Sequence, residues 1–69
     1  MNPADGMGKL RVKLVESSNG WHWVLSTVIG NKTIAIGRLL KTRDNARVAA
    51  RNAVKSIARA AEAGEILWE

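Results

Sequence analysis

Residues 43–61 carry two interleaved patterns with helical spacing, which constrain the fold more than any other feature of the chain. Cations recur at every fourth position from Arg43 to Arg59, while alanines, Val54 and Ile57 recur three or four positions apart. Residues with these separations lie on the same side of an α-helix. The segment therefore predicts one amphipathic helix with an apolar side and a basic side.

The basic side of this helix consists of Arg43, Arg47, Arg51, Lys55 and Arg59. Each neighbouring pair is a like-charge i,i+4 pair, which destabilises an isolated helix by roughly 0.2–0.5 kcal/mol. Asp44 can offset Arg47, and Glu62 can offset Arg59, but Arg51 and Lys55 have no acid three or four residues away. Two interpretations stay open, a site for an anionic partner and an ordinary solvated helix face.

Three strands are predicted ahead of the helix. Apolar residues alternate over 10–15, aromatic and β-branched residues fill 21–29, and a third short run spans 33–38. The dipeptides Asn19-Gly20 and Gly30-Asn31 separate these runs, and both favour two-residue hairpin turns because their residues tolerate positive φ.

Two-residue turns at those places put Leu14 and Ile36 opposite Leu25 on neighbouring strands. Opposed residues share a face of the sheet. One face then carries the large apolar side chains Leu10, Val12, Leu14, Trp21, Trp23, Leu25, Ile34 and Ile36. We expect this face to pack against the alanine side of the helix, whose N-cap is Thr42 or Asp44 and whose C-terminal end is marked by Gly64.

The predicted fold class is α+β, a three-stranded antiparallel meander with one C-terminal helix packed on one face. Residues 1–8 form a flexible lead-in, 9–64 a single β-β-β-α domain, and 65–69 a C-terminal tail that either covers the core edge or contacts a partner. The other sheet face is expected to be uncovered. Its apolar middle (Val15, Val24, Val28 and Ala35) is either a contact surface or a set of ordinary exposed strand residues.

Composition limits the possible functions. The chain has 69 residues, no cysteine, one histidine and a net charge of +5. A domain of this size has a thin core, so self-association is a common aid to stability. The charge fits a nucleic-acid binder, and it equally fits a small protein kept in solution by its charge. His22 alone supports neither catalysis nor a metal site, so we expect no enzyme activity and no cofactor.

Targeting signals are also lacking. Residues 1–8 have no apolar segment typical of a signal peptide, and no apolar run approaches a membrane span. We therefore expect a cytoplasmic protein without membrane contact.

The stretch 19–57 resembles the YegP-like family of small uncharacterised domains. The resemblance rests on the sequences GWHWVL from Gly20, IAIG from Ile34 and TRDNA from Thr42. It implies a strand meander followed by a helix, and a homodimer for a chain with one copy. The same stretch is similar to integrase arm-binding and ethylene-response-factor domains, which bind DNA through an open three-stranded sheet, and its end is faintly similar to double-stranded-RNA-binding domains.

Two functions are expected from these observations. The first is a small non-enzymatic module that contacts nucleic-acid phosphates through the outer face of its helix. The contacts are expected from Arg47, Arg51, Lys55 and Arg59, with Arg38, Lys41 and Arg43 flanking them. The second is a homodimeric protein-interaction or inhibitor domain that acts through the open sheet face, with Val15, Val24 and Val28, or through the C-terminal tail, with Trp68.

Overall fold

The computed structural model describes residues 8–61 and 64–69. These residues form the elements β1 Lys9–Ser17, β2 Gly20–Thr27, β3 Thr33–Ile36, α1 Arg43–Ala61 and β4 Glu65–Trp68. The sheet has the order β3-β2-β1-β4, in which β4 runs parallel to β1 and the other pairs are antiparallel.

The predicted meander with one helix on one face is confirmed, because α1 packs on β1 and β2. The helix is followed by an additional strand, β4, which lies in the predicted C-terminal tail 65–69. Apart from Gly8, the predicted lead-in lies outside the described residues.

The β1–β2 hairpin turns at residues 18–19 rather than at Asn19-Gly20. Leu14 pairs with Trp23 instead of the predicted Leu25. Gly20 belongs to β2, where its φ of +149° and a backbone carbonyl that a Cβ would overlap both require glycine. The register moves by two residues, so the side-chain alternation is unchanged and the predicted faces of β1 and β2 are confirmed.

The β2–β3 connection turns at Gly30 and Asn31, as predicted, with φ of 83° and 49°. The register of β3 was predicted wrongly, because the pairing shifts by one residue and leaves Ile34 as a bulge. Ala35 therefore pairs with Leu25 and packs against the core, although it was predicted on the open face. Ile36 was predicted under the helix, but it pairs with Val24 and is 64% exposed.

The core lies between the sheet and the alanine side of α1. Its buried members are Leu10, Val12, Trp23, Leu25, Ala50 and Val54. The indole of Trp23 lies so close to Gly37 that a Cβ there would overlap it. Trp21 was also predicted under the helix, but it is half-buried and outside this cluster, because it lies at the end of β2 beside Leu40.

Thr42 is the N-cap of α1. Its hydroxyl oxygen accepts a hydrogen bond from the N–H of Asn45 at 3.1 Å, and its carbonyl accepts the N–H of Ala46 at 3.1 Å. Of the two predicted N-caps, Thr42 is therefore confirmed, and Asp44 lies in the first turn of the helix. The helix extends to Ala61, and the two residues before Gly64 lie outside the described chain.

Candidate nucleic-acid interface

The five helix cations predicted to contact phosphate are all solvent-exposed: Arg43, Arg47, Arg51, Lys55 and Arg59. Within residues 8–61 and 64–69, no carboxylate lies within 4 Å of any of them. Asp44 therefore does not pair with Arg47, and the predicted partner of Arg59, Glu62, lies outside the described residues. We call these five cations the basic ribbon.

The basic ribbon winds around the helix instead of following one face. A helix turns by about 100° per residue, so each step of four residues advances the direction by about 40°. From Arg43 to Arg59 the total is about 160° on the same basis. The prediction that Arg47 lies on the outer face is therefore wrong. Arg43 and Arg47 line a groove together with Trp68 of the sheet, so they lie at the boundary between helix and sheet. The same 40° steps turn Lys55 and Arg59 away from it.

An open groove of about 200 Å³ marks the boundary where the ribbon begins. Its lining residues are Leu14, Arg43, Arg47, Trp68 and Glu69. The helix N-terminus adds partial positive charge here, which is unfavourable for Arg43 but favourable for any anion that binds. The groove thus combines two guanidinium groups with an aromatic ring.

Trp68 reaches this groove because of β4. It pairs with the buried, helix-facing Val12, and the N–H of Glu69 continues the ladder by donating to the carbonyl of Val12 at 3.0 Å. Residues paired across parallel strands point to the same face, so Trp68 shares the helix side of the sheet. Ile66 on the same strand packs against the core, whereas Trp68 remains 45% exposed.

Arg38 and Lys41 are exposed in the connection between β3 and α1. Backbone hydrogen bonds tie this connection to β2: the N–H of Gly37 donates to Trp23 at 2.8 Å, and Trp21 and Leu40 bond each other in both directions at 2.7 Å. Arg38 and Lys41 therefore belong to a segment just before the helix whose backbone is hydrogen-bonded to β2.

The sheet face opposite the helix carries the three valines of the other predicted interface, whereas its fourth member, Trp68, lies on the helix side. Val15 and Val24 are half-buried on it, and Val28 is half-buried just past β2, where its N–H donates to the carbonyl of Lys9 at 3.1 Å. The shifted register adds Ile36 to this open face. No other helix or strand of the described chain covers it.

Two cations of the open face form ion pairs, whereas Lys13 on the same face is exposed and pairs with no described carboxylate. Lys9 lies 3.8 Å from Glu65, and the Nε of Arg11 lies 2.7 Å from a carboxylate oxygen of Glu69. The Arg11 contact is an ion pair rather than a directed hydrogen bond, since its N–H is not aligned with the oxygen. Among the described residues, the open face therefore keeps fewer unpaired cations than the ribbon.

Sequence reasoning missed several residues of these surfaces. Leu14 and Glu69 line the groove, and Val48 is 58% exposed beside the ribbon. Helical spacing from Arg51 could have placed Val48 there, but nothing short of the β4 pairing could have placed Glu69. Among the described residues, no three His, Cys, Asp or Glu side chains come together as a metal site.

In the described part of the chain, no helix combines the length and the apolar character needed to cross a bilayer. No protein-family model, curated protein or solved structure matches this chain.

Proposed function

We propose that this protein is a small non-enzymatic module that binds nucleic-acid phosphates through the basic ribbon. The observation that carries the proposal is the combination of five exposed cations at i,i+4 spacing with no described carboxylate within ion-pair distance. Such an arrangement is unfavourable for the isolated helix and becomes favourable when phosphates neutralise it.

The distribution of charge over the molecule supports the same surface. Two acids of the described chain pair with Lys9 and Arg11 on the open face, whereas five of the exposed cations without a described carboxylate partner lie on α1. Arg38 and Lys41 extend it ahead of the helix N-terminus. Phosphate contacts of this kind supply affinity without base recognition, so binding is expected to be mostly independent of sequence.

A matched pair of double variants tests the proposal. The test variant is Arg51→Glu with Lys55→Glu, which reverses the middle of the ribbon. The control is Lys13→Glu with Lys32→Glu, which makes the same change in net charge at exposed positions outside the helix. Fluorescence anisotropy with a labelled duplex and with a labelled single strand at low salt measures the affinity.

The proposal predicts that the ribbon variant loses at least tenfold in affinity while the control loses much less. Equal losses in the two variants would indicate a response to net charge alone. That result, or no binding of either nucleic acid by the unmodified protein at low salt, would contradict the proposal.

A homodimeric protein-interaction or inhibitor domain is the second candidate, and the exposure of Ile36 beside Val24 favours it. An apolar sheet face of this kind is a common contact surface. Sedimentation velocity of Val24→Lys tests it, with Ile29→Lys as the control because Ile29 is 85% exposed in a turn. A dimer that only Val24→Lys dissociates supports this candidate, and a monomeric unmodified protein removes the homodimer.

A further inference from the structure

The groove at the start of the basic ribbon contains an aromatic ring that the core does not use. Trp68 lies at the end of the edge strand β4 and is 45% exposed, while Ile66 two residues earlier packs against the core. A large, partly exposed indole beside cations is the arrangement on which unpaired bases stack in single-strand-binding proteins.

Two arginines lie on the other wall of this groove. Arg43 is the first residue of α1, and Arg47 follows one turn later on the side that faces β4. Both guanidinium groups are exposed, and neither is within 4 Å of a described carboxylate. They can therefore hold a phosphate next to the ring of Trp68.

Among the described residues that line the groove, the acid is Glu69, and it already forms an ion pair. The carboxylate of Glu69 lies 2.7 Å from the Nε of Arg11 on β1. Arg11 belongs to the opposite face of the sheet, where its neighbour on β4 is Leu67. Arg11, on the opposite face of the sheet, therefore neutralises the charge of Glu69. The remaining charged residues that line the groove are Arg43 and Arg47, so the groove is positively charged.

We propose that this groove binds an unpaired nucleotide, with its base stacked on Trp68 and its phosphate held by Arg43 and Arg47. The inference rests on the proposed function, because the rest of the strand follows the basic ribbon. It specifies the ligand as single-stranded nucleic acid. Bases inside a duplex have both faces covered by their neighbours, so they cannot stack on an indole without leaving the helix.

The experiment compares a single-stranded oligothymidylate with a duplex of equal phosphate count whose ends are closed by non-nucleotide linkers, so that it carries no unpaired base. The proteins are the unmodified chain, Trp68→Ala and Trp68→Phe, and circular dichroism checks that each one folds. Stacking on one base predicts that Trp68→Ala weakens binding of the single strand by about 5- to 150-fold. Trp68→Phe should retain most of the affinity, and binding of the closed duplex should change less than about twofold.

Fluorescence gives an independent readout that needs no loss of affinity. Stacking should quench the indole of Trp68 when the single strand binds, and the quenching should vanish in Trp68→Phe, which keeps Trp21 and Trp23. This measurement and the preference of the unmodified chain for the single strand remain informative if Trp68→Ala fails to fold.

The outcomes separate the two proposals. Equal affinity of the unmodified chain for single strand and closed duplex, equal losses on both ligands in Trp68→Ala, or no quenching would overturn the stacking site alone. No binding of either ligand would overturn the proposed function and this inference together.

Discussion

Neutralising the middle of the basic ribbon should make the protein more stable while making it bind less well. Arg51 is exposed, and within the described chain no carboxylate lies within 4 Å of it. Its like-charged i,i+4 neighbours are Arg47 and Lys55. Removing two such pairs should stabilise the fold by about 0.4–1.0 kcal/mol. Glutamine has nearly the helix propensity of arginine, so Arg51→Gln removes the charge without changing the intrinsic stability of the helix much.

For a domain of this size, that gain corresponds to a rise in Tm of about 2–8 °C. Thermal unfolding followed by circular dichroism at low salt measures it. Lys32→Gln is the control, because it removes the same charge from an exposed turn outside the helix. At about 1 M salt the screening length falls to about 3 Å, and the difference between variant and parent should disappear.

The reasoning would be refuted if Arg51→Gln were no more stable than the parent at low salt, or if Lys32→Gln gained as much. In the first case the cations of the ribbon would not repel one another measurably. In the second case the gain would come from net charge, and the spacing of the ribbon would carry no energetic consequence.

Two further predictions concern the framework that positions the ribbon. Thr42→Ala should lower the free energy of unfolding, measured with denaturant, by about 1 kcal/mol because the N–H of Asn45 loses its acceptor. Thr42→Ser keeps a hydroxyl and should retain most of that free energy. Equal stability of all three proteins would contradict the assignment of Thr42 as the N-cap. Gly37→Ala should cost about 1–3 kcal/mol by forcing the buried indole of Trp23 to move. Gly64→Ala, where a Cβ meets only an atom at 4.0 Å, should be neutral or slightly stabilising, and an equal cost at both glycines would contradict the packing argument.

The faces of β1 and β2 could be predicted from the sequence even though the turn was misplaced. The error moved the register by two residues, and alternation has a period of two, so Val12, Trp23 and Leu25 stayed on the core side. The bulge at Ile34 moved the register by one residue, so the side chain of Ile36 lies on the open face instead of the predicted core face. A bulge is a local backbone feature that the apolar pattern of β3 does not encode.

The candidate site could be predicted only in part. Helical spacing identified the five cations, but it could not show where the sheet edge meets the helix. That boundary depends on β4, whose four residues pair with β1 more than fifty positions earlier in the chain. Without that pairing, Trp68 had no predictable position, and its proximity to Arg43 and Arg47 could not be inferred.

The salt dependence of nucleic-acid affinity tests the central claim most directly. A duplex that pairs three to five of its phosphates with the basic ribbon should give a plot of log K against log salt with a slope between about −2.7 and −4.5. The double variant Arg51→Glu with Lys55→Glu should remove two phosphate contacts and make that slope shallower by about 1.8. A slope near zero for the unmodified protein, or a slope that the double variant leaves unchanged, would contradict the claim.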